Sequence, residues 1–258
     1  MVCGERVCAS VWNVAGMRIG IIAAVPLELK HIARGWEVVP CAARYAKAWR
    51  TVDAAGDIRI AACAGMGADA ARRAFAAAEA DGLLDGVLSV GLAGATLQEL
   101  RVGECLVLSE VIDASTGERF TLTDGKRRLR IASLSQVADA REKNRVRETY
   151  GAVMVDMESA TVARMAQQRG IPMCCIKAVS DEVDAVLPDV GPFLREGQLR
   201  LAPFLASVAM RPSMWGPLLR LGGNSSTAAK RLAVTVNEFL RDKDWAGANR
   251  TGGIGEQG

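Results

Sequence analysis

Short apolar runs alternate with helical patterns along most of this chain. Residues 18–25 form an apolar run of strand length, and Pro26 directly after it is placed for the first turn of a helix that reaches about residue 34. The same reasoning predicts further elements down the chain. The predicted strands are residues 46–52, 58–63, 86–90, 105–112, 128–132, 152–155 and 173–179. The predicted helices are residues 68–80, 139–149, 157–169, 199–210, 214–221 and 226–241.

This alternation of strands and helices predicts an α/β fold. Strands separated by helices of about 10–15 residues form a largely parallel sheet that is covered by helices on both faces. Ligands of such sheets bind beyond the carboxyl ends of the strands. The segments at these ends are therefore the first candidates for a site: residues 24–28, 65–67, 91–94, 156–159 and 180–184.

Composition excludes several classes of protein. The net charge of the 258 residues is only +3 and the basic residues are scattered, so binding to nucleic acid is not favoured. Seven cysteines without a Cys-x-x-Cys pair and a single histidine, His31, predict buried thiols in a reducing cytoplasm; they favour neither a disulfide framework nor a metal site. No apolar run approaches the length of about 18 residues that a membrane span needs.

Both ends of the chain are expected to be flexible. Residues 1–16 lack the continuous apolar block of a secretory signal, and residues 245–258 are rich in glycine and polar side chains. A single domain is expected over residues 17–244, in a cytoplasmic protein.

Two carboxylates lie where a predicted strand at 152–155 leads into a helix. Glu158 can accept hydrogen bonds from both hydroxyls of a vicinal diol such as that of ribose, and the soft side chain of Met157 can lie against a sugar or a base. An alternative is that Asp156 and Glu158 only cap free N–H groups and favour the helix dipole.

A second acidic cluster follows the predicted strand at 173–179. Asp181, Glu182 and Asp184 lie within four residues, directly after Ser180. A buried acid at this edge can act as a proton donor. The spacing of these acids lacks the pattern of a calcium loop. A solvated turn without a function is as good an interpretation as a proton donor.

Other candidate positions are weaker. Glu28 follows the first strand, where it can either face the site or simply favour a helix dipole. The Gly-x-x-Gly segment at 91–94 permits close approach of backbone to a ligand, or close packing of a helix on a strand. No dinucleotide fingerprint, Walker loop or Gly-x-Ser-x-Gly motif occurs, and His31 has no plausible nucleophile as a partner in the sequence.

Taken together, five segments resemble the nucleoside phosphorylase and nucleosidase superfamily, most closely its 5′-methylthioadenosine/S-adenosylhomocysteine nucleosidase branch. They are Met-Arg-Ile-Gly-Ile-Ile-Ala-Ala at 17–24 with Glu28, Ala-Gly-Met-Gly at 64–67, Ser-Val-Gly-Leu-Ala-Gly at 89–94, Val-Asp-Met-Glu-Ser at 155–159, and Val-Ser-Asp at 179–181. The resemblance implies a three-layer α/β/α domain around a central mixed, largely parallel sheet. It also implies a homodimer or larger homo-oligomer that acts on a small-molecule nucleoside without metal or organic cofactor.

The resemblance also implies roles for individual residues. Glu158 would hold the ribose diol and Met157 would pack on the nucleoside. Asp181, oriented by Ser180, would protonate or hydrogen-bond N7 of a departing purine, and Glu28 would activate water.

The segments at 17–24 and 89–94 add three substrate-binding candidates. Ala24, Gly91 and Leu92 lie in these matched segments, at ends of predicted strands.

Water is the favoured acceptor. In hexameric purine phosphorylases the positions of Glu28 and Ser89 are arginines, because a phosphate dianion needs cationic partners. An acid at position 28 would repel phosphate, which favours hydrolysis. Phosphorolysis stays open because Arg44 or Arg50 could reach the site of a neighbouring subunit. A nucleoside-binding protein without catalytic activity is the alternative from another class.

Two departures from the family pattern leave the substrate open. Residues 133–137, which correspond to a base-binding segment, contain no aromatic side chain to stack on adenine. Residues 210–219 and the long final helix resemble phosphorylase-like proteins associated with bacterial hopanoid synthesis, which act on an adenosyl group attached to a triterpene. An apolar wall at residues 201–215 could accept a bulky 5′ substituent, or could simply pack helices together.

Overall fold

The computed structural model describes residues 16–122, 128–187, 190–209 and 215–241. Within these ranges the chain forms an eleven-stranded sheet, a separate two-stranded hairpin and six α-helices. The strands of the large sheet are β1 Arg18–Ala23, β2 Glu37–Val39, β3 Lys47–Val52, β4 Ile58–Cys63, β5 Gly86–Ala95, β6 Cys105–Leu108, β7 Glu110–Asp113, β8 Arg119–Thr121, β9 Arg130–Ser133, β10 Met154–Asp156 and β11 Met173–Asp181. The hairpin strands are β12 Leu194–Arg195 and β13 Gln198–Leu199. The helices are α1 Pro26–Leu29, α2 Ala68–Ala78, α3 Ala140–Tyr150, α4 Ser159–Arg169, α5 Leu201–Ala209 and α6 Trp215–Arg241, with a short 3-10 turn at Gly191–Phe193.

The large sheet is mixed. Its strand order is β2-β3-β4-β1-β5-β10-β9-β7-β8, and β11 pairs with β5 and with β6. The inner ladders β4-β1-β5-β11 and β10-β9-β7 are parallel, whereas β2, β3, β6 and β8 join antiparallel. The antiparallel pairing of β10 with the end of β5 joins the two parallel parts. The predicted mixed, largely parallel sheet is therefore confirmed.

Helices cover both faces of this sheet. Ile21 and Ile22 are consecutive in β1 and both are buried, because each points into a different apolar cluster. Helices α2 and α4 pack on one face, where Phe75 is fully buried. Helices α1 and α6 pack on the other face, where Leu232 of α6 joins the cluster of Ile21. The three-layer α/β/α fold predicted from the sequence is confirmed.

Helix α1 is much shorter than predicted. It ends at Leu29, whereas the pattern predicts a helix as far as residue 34. The following residues form turns, in which Ala33 donates its N–H to the Leu29 carbonyl oxygen and Trp36 donates to that of Ala33. Because β2 begins at Glu37, only a few residues are available to reverse the chain, and they adopt turns instead of helix.

The predicted strand at 105–112 is two strands. β6 pairs with β11, and β7 pairs with β8 and β9, so the chain changes partners at Ser109. The Ser109 N–H and hydroxyl both donate to the Leu129 carbonyl oxygen, at 2.8 Å and 3.0 Å. The apolar pattern predicts burial correctly but carries no information on which neighbour a strand pairs with.

The last two predicted helices are one. Helix α6 runs through Gly222 and Gly223, which the sequence pattern favours as a break. Beyond them Ala228, Leu232 and Val236 are fully buried against the sheet. This tertiary packing outweighs the poor helix propensity of the two glycines.

Two short strands, β2 and β8, and the hairpin β12–β13 are not predicted from the sequence. β5 is also five residues longer than predicted, because the Gly-x-x-Gly segment at 91–94 continues the strand. Of the ends predicted to be flexible, residues 1–15 and 245–258 lie outside the described residues, as do residues 210–214 of the segment that resembles hopanoid-associated proteins. Within the described ranges, none of the helices combines the length and apolarity that crossing a membrane requires.

Candidate active site

A cavity of about 320 Å³ opens at the carboxyl ends of the central strands β1, β5, β10 and β11. It brings together seven of the eight residues that the sequence analysis selects. These are Ala24, Glu28, Leu92, Met157, Glu158, Ser180 and Asp181. The eighth, Gly91, lies behind Glu28, where a Cβ atom would sit 2.8 Å from Oε1 of that carboxylate. The rule that ligands bind where parallel strands end therefore selects residues that lie together in the fold.

Glu28 is buried and held by backbone N–H groups. Its Oε2 atom accepts hydrogen bonds from Ala24 and Val25 at 2.8 Å and 2.9 Å, and its Oε1 atom accepts one from Leu92 at 2.8 Å. Burial raises the pKa of Glu28, while these hydrogen bonds and the charge of Lys177 act in the opposite direction. A carboxylate with a raised pKa is a stronger base, and its position is fixed by three donors.

Glu158 faces the loop that precedes α2. Its Oε1 atom accepts a hydrogen bond of 2.6 Å from the N–H of Gly67, and its Oε2 atom accepts one of 3.2 Å from Met157. Burial, together with the negative charge of Asp156, raises the pKa of Glu158 to about 7. The Glu158 carboxyl group can therefore gain or lose a proton near neutral pH.

Asp156 performs the helix-capping role that the sequence analysis leaves open for both acids. It accepts hydrogen bonds from the Ser159 N–H at 3.1 Å and from the Ser133 hydroxyl at 2.6 Å. Its Oδ2 atom lies 2.9 Å from Nζ of Lys177, a lysine that is only 2% exposed. Although burial acts to raise it, the charge of Lys177 holds the pKa of Asp156 below its ordinary value.

Asp181 reaches the cavity through a bulge in β11. The register between β11 and β5 shifts between Val179 and Asp181. An extra residue at this point re-aims the side chains that follow it. The Ser180 hydroxyl donates a 2.6 Å hydrogen bond to Oδ1 of Asp181. Its neighbours in the acidic cluster point elsewhere, since Asp184 is exposed and Glu182 lies 3.8 Å from Arg101.

Sequence reasoning missed two buried lysines of the site. Lys143 of α3 is 1% exposed and its Nζ lies 2.5 Å from Oδ2 of Asp181, while Lys177 lies beneath Asp156. Two signals in the sequence are compatible with this burial. Lys177 interrupts the apolar strand β11, and Lys143 lies one helical turn before the buried Val146. Both patterns also occur in surface lysines, so they do not predict burial by themselves.

The remaining wall of the cavity is mainly apolar. Leu134, Val137, Leu187, Leu199 and Leu221 line it, with the Gln136 amide as a polar exception on the segment predicted to bind the base. Among the described residues that line this cavity, none is a lysine, arginine, histidine or aromatic side chain. In the same part of the chain, no group of three or more His, Cys, Asp or Glu side chains has the arrangement of a metal site.

Arg44 and Arg50, which are predicted to reach the site of a neighbouring subunit, do not line the cavity of their own chain. Arg44 instead forms an exposed ion pair of 2.8 Å with Glu196, in the turn of the β12–β13 hairpin.

Sequence comparison identifies the family. Residues 18–133 and 128–209 match the model of the phosphorylase superfamily, so the match covers most of the chain. The chain belongs to the phosphorylase superfamily. No curated protein matches its sequence.

Solved structures of nucleosidases and of futalosine hydrolase share the fold. A mutant of the Helicobacter pylori nucleosidase with 5′-methylthioadenosine in its active site is 19% identical with a TM-score of 0.66, and the match covers 88% of this chain and 99% of that one. Futalosine hydrolase of Helicobacter pylori is 17% identical with a TM-score of 0.65, covering 88% and 98%. The 5′-methylthioadenosine nucleosidase of Arabidopsis thaliana is 14% identical with a TM-score of 0.67, covering 88% and 96%.

Proposed function

We propose that this superfamily member hydrolyses the N-glycosidic bond of a purine nucleoside with a modified 5′ position and releases the free base. One observation carries the proposal. The carboxyl groups of Glu28, Glu158 and Asp181, which are far apart in the sequence, line the same cavity, and no cationic side chain lines it among the described residues. The similar structures of nucleosidases and of futalosine hydrolase support it, since they pair this fold with hydrolytic enzymes.

The three carboxyl groups suit three separate tasks. Breaking an N-glycosidic bond builds positive charge on the sugar and negative charge on the base. Asp181, held by Ser180, delivers a proton to the ring nitrogen of the departing purine. Glu28 accepts a proton from the water that attacks C1′, and Glu158 accepts hydrogen bonds from the 2′- and 3′-hydroxyls.

Water is the better acceptor for this cavity. A phosphate dianion requires cationic or multiple N–H partners. Here the three backbone N–H groups of Ala24, Val25 and Leu92 already point at the carboxylate of Glu28. A dianion beside Glu28 would meet a second negative charge, and none of the described side chains that line the cavity is a cation. The described cavity therefore favours hydrolysis, whereas phosphorolysis would need a cation from outside it, such as an arginine of a neighbouring subunit.

The character of the wall suits a nucleoside better than a nucleotide. A 5′-phosphate would again lack a cation in the described wall, whereas an uncharged 5′ substituent can lie against apolar side chains such as Leu199 and Leu221. The Met157 side chain lines the same space and can pack on the sugar or the base. The residues that would contact the base, Leu134, Gln136 and Val137, offer apolar contact and one amide instead of aromatic stacking.

Base release tests the proposal directly. Purified protein is incubated with 5′-methylthioadenosine, adenosine, inosine and their 5′-substituted relatives, with and without inorganic phosphate, and free base is measured by chromatography. Release of base at the same rate in both conditions is expected. Glu28→Gln and Asp181→Asn should each lose most turnover, because an amide neither accepts nor supplies the required proton.

Two results would replace the proposal. Strict dependence on phosphate, with formation of a sugar phosphate, would identify a phosphorylase. Binding of a nucleoside without release of base, by a protein whose affinity is unchanged in Asp181→Asn, would identify a non-catalytic nucleoside-binding protein. Assembly into a homodimer or larger homo-oligomer stays a separate prediction, which sedimentation of the purified protein tests.

A further inference from the structure

Asp181 has an unusual partner for an acid that delivers protons. Nζ of Lys143 lies 2.5 Å from its Oδ2 atom, and the same Nζ donates to the Glu182 carbonyl oxygen at 2.8 Å. Lys143 is 1% exposed and Asp181 is 6% exposed. Burying a lysine is costly unless its charge is paired and hydrogen-bonded, and here both conditions are met.

Both carboxylate oxygens of Asp181 have hydrogen-bond partners. Oδ2 accepts from Lys143, while Oδ1 lies 2.6 Å from the Ser180 hydroxyl, whose oxygen is also 3.3 Å from the Ala93 carbonyl oxygen. A protonated carboxyl group would have to donate through one of them. The Lys143 ammonium group is in direct contact with Asp181 and can therefore replace a proton that Asp181 gives to the departing base.

The packing around the pair keeps it closed. A Cβ atom at Gly94 of β5 would lie 2.9 Å from Oδ2 of Asp181 and 2.9 Å from Cε of Lys143. The absence of a side chain at this position is what lets the lysine reach the carboxylate from α3. The contact joins residues 38 positions apart, so it depends on the fold and not on local sequence.

We propose that Lys143 is a positioning residue that supplies, through Asp181, the proton taken up by the departing base. This inference rests on the proposed function and deepens it. An N–H bond of the Lys143 ammonium breaks and the proton passes to Asp181, which gives a proton to the ring nitrogen as the C1′–N bond breaks and its electron pair stays with the base. Water forms the new C1′–O bond and loses a proton to Glu28. Neutral Lys143 then regains a proton from solvent and Glu28 returns its own, so charge and atoms balance over a turnover.

The test compares two leaving groups. A purine needs a proton in order to leave, whereas 4-nitrophenolate leaves without one. Lys143→Met keeps the length of the side chain and removes its charge. Its kcat and KM are measured on the purine nucleoside cleaved fastest by the wild-type protein and on 4-nitrophenyl β-D-ribofuranoside. Lys230→Met, which removes an exposed lysine of α6, is the matched control.

For Lys143→Met we expect kcat on the nucleoside to fall about 100-fold, the usual range for loss of proton donation, with KM changed by less than about threefold. Hydrolysis of the nitrophenyl riboside should stay within about threefold of wild type. Lys143→Arg should keep the low nucleoside kcat, because a guanidinium group restores the charge and the hydrogen bonds but does not release its proton. The double variant Asp181→Asn/Lys143→Met should be no slower than Asp181→Asn alone, because the two residues act in series.

Other results overturn the inference. Equal loss on both leaving groups would show that Lys143 only maintains the structure, and an unchanged nucleoside kcat would show that Asp181 obtains its proton elsewhere. If Lys143→Met does not fold, Lys143→Gln, which keeps a hydrogen-bond donor to Asp181 but has no ammonium proton to give, decides by the same comparison of leaving groups. Failure of the wild-type protein to release base would remove the proposed function itself, whereas base release with a normal Lys143→Met rate removes only the role of Lys143.

Discussion

The substitution Gly91→Ala tests how closely activity depends on the position of Glu28. Gly91 has φ = +149°, a backbone conformation that side chains rarely adopt. An added Cβ atom would lie 2.8 Å from Oε1 and 3.2 Å from Cδ of Glu28. The carboxylate cannot simply rotate away, because the N–H groups of Ala24, Val25 and Leu92 hold it.

The size of the effect follows from this geometry. An ordinary contact between Cβ and oxygen begins at 3.4 Å, so relief of the overlap at Oε1 requires a shift of about half an ångström. A misplacement of about 1 Å costs roughly 100-fold in rate, so half of that distance should cost roughly tenfold in kcat. The strained backbone should lower the free energy of unfolding by about 1–3 kcal/mol.

Gly56→Ala separates the two effects. Gly56 also has a positive φ of +85°, but it lies in an exposed turn between β3 and β4 and an added Cβ would meet nothing within 4 Å. This variant should lose stability from backbone strain while it keeps the wild-type kcat. Urea unfolding gives the free energy of unfolding for each variant, and base release from the best nucleoside substrate gives kcat and KM.

Two outcomes would refute the reasoning. If Gly91→Ala turns over at the wild-type rate, the position of the Glu28 carboxylate is not critical or the site absorbs the shift. If Gly56→Ala loses as much activity as Gly91→Ala, the loss comes from general destabilisation and not from displacement of Glu28.

Three further predictions concern the rest of the site. Because the pKa of Glu158 is raised to about 7, its carboxyl group is protonated below that pH and ionised above it. The kcat/KM for ribosides should therefore rise through pH 7, and this rise should vanish in Glu158→Gln. A pH profile that keeps its shape in the variant would contradict the diol contact. Lys177→Met leaves the charge of Asp156 buried and unpaired and should cost about 3–5 kcal/mol in urea unfolding, part of which Asp156→Asn in the same chain should restore. Since the pKa of Asp156 is lowered in the folded protein, the ion pair with Lys177 stabilises the fold above the ordinary pKa of about 3.9. This stabilisation is lost as the pH falls to the lower pKa of the folded protein. If the free energy of unfolding depends on acid pH identically in wild type and in the double variant, the ion pair does not have this effect. Gln198→Ala removes a 2.8 Å hydrogen bond to the Ala64 carbonyl oxygen, which is worth about 1 kcal/mol. This variant should raise KM about fivefold with kcat unchanged. An unaltered KM would show that the hairpin does not support the nearby cavity wall.

Much of the fold follows from local pattern. The strand at Ile58–Cys63 agrees with prediction at both ends, because an apolar run between turn residues has few other solutions. Two other features do not follow from local pattern. The chain changes strand partners at Ser109, and α6 continues through Gly222 and Gly223. They depend on which surfaces meet in three dimensions, so no window of sequence contains the information.

The candidate site likewise has features that follow from the sequence and features that depend on the tertiary structure. Each of Glu28, Glu158 and Asp181 follows the end of an apolar run, and the ends of parallel strands meet at one edge of a sheet. The sequence could therefore place them at this edge, and the family resemblance singled them out from the other acids there. Their environments could not be selected in this way. Whether a carboxylate meets backbone N–H groups, as Glu28 does, or an ammonium group, as Asp181 does, is decided by contacts between distant segments.

By itself, then, the amino-acid sequence determined the class of fold and the edge of the sheet where the candidate site lies, and the family resemblance singled out three of the acids at that edge. Periodicity and strand ends are local properties of the chain, and they are sufficient for the fold class and for the edge. Only the tertiary structure decided that Lys143 and Lys177 are buried and which acid each one neutralises. The sequence does not distinguish an exposed lysine from a buried one. The free-energy cost of burying the lysine is offset only by a partner that folding brings within hydrogen-bonding distance.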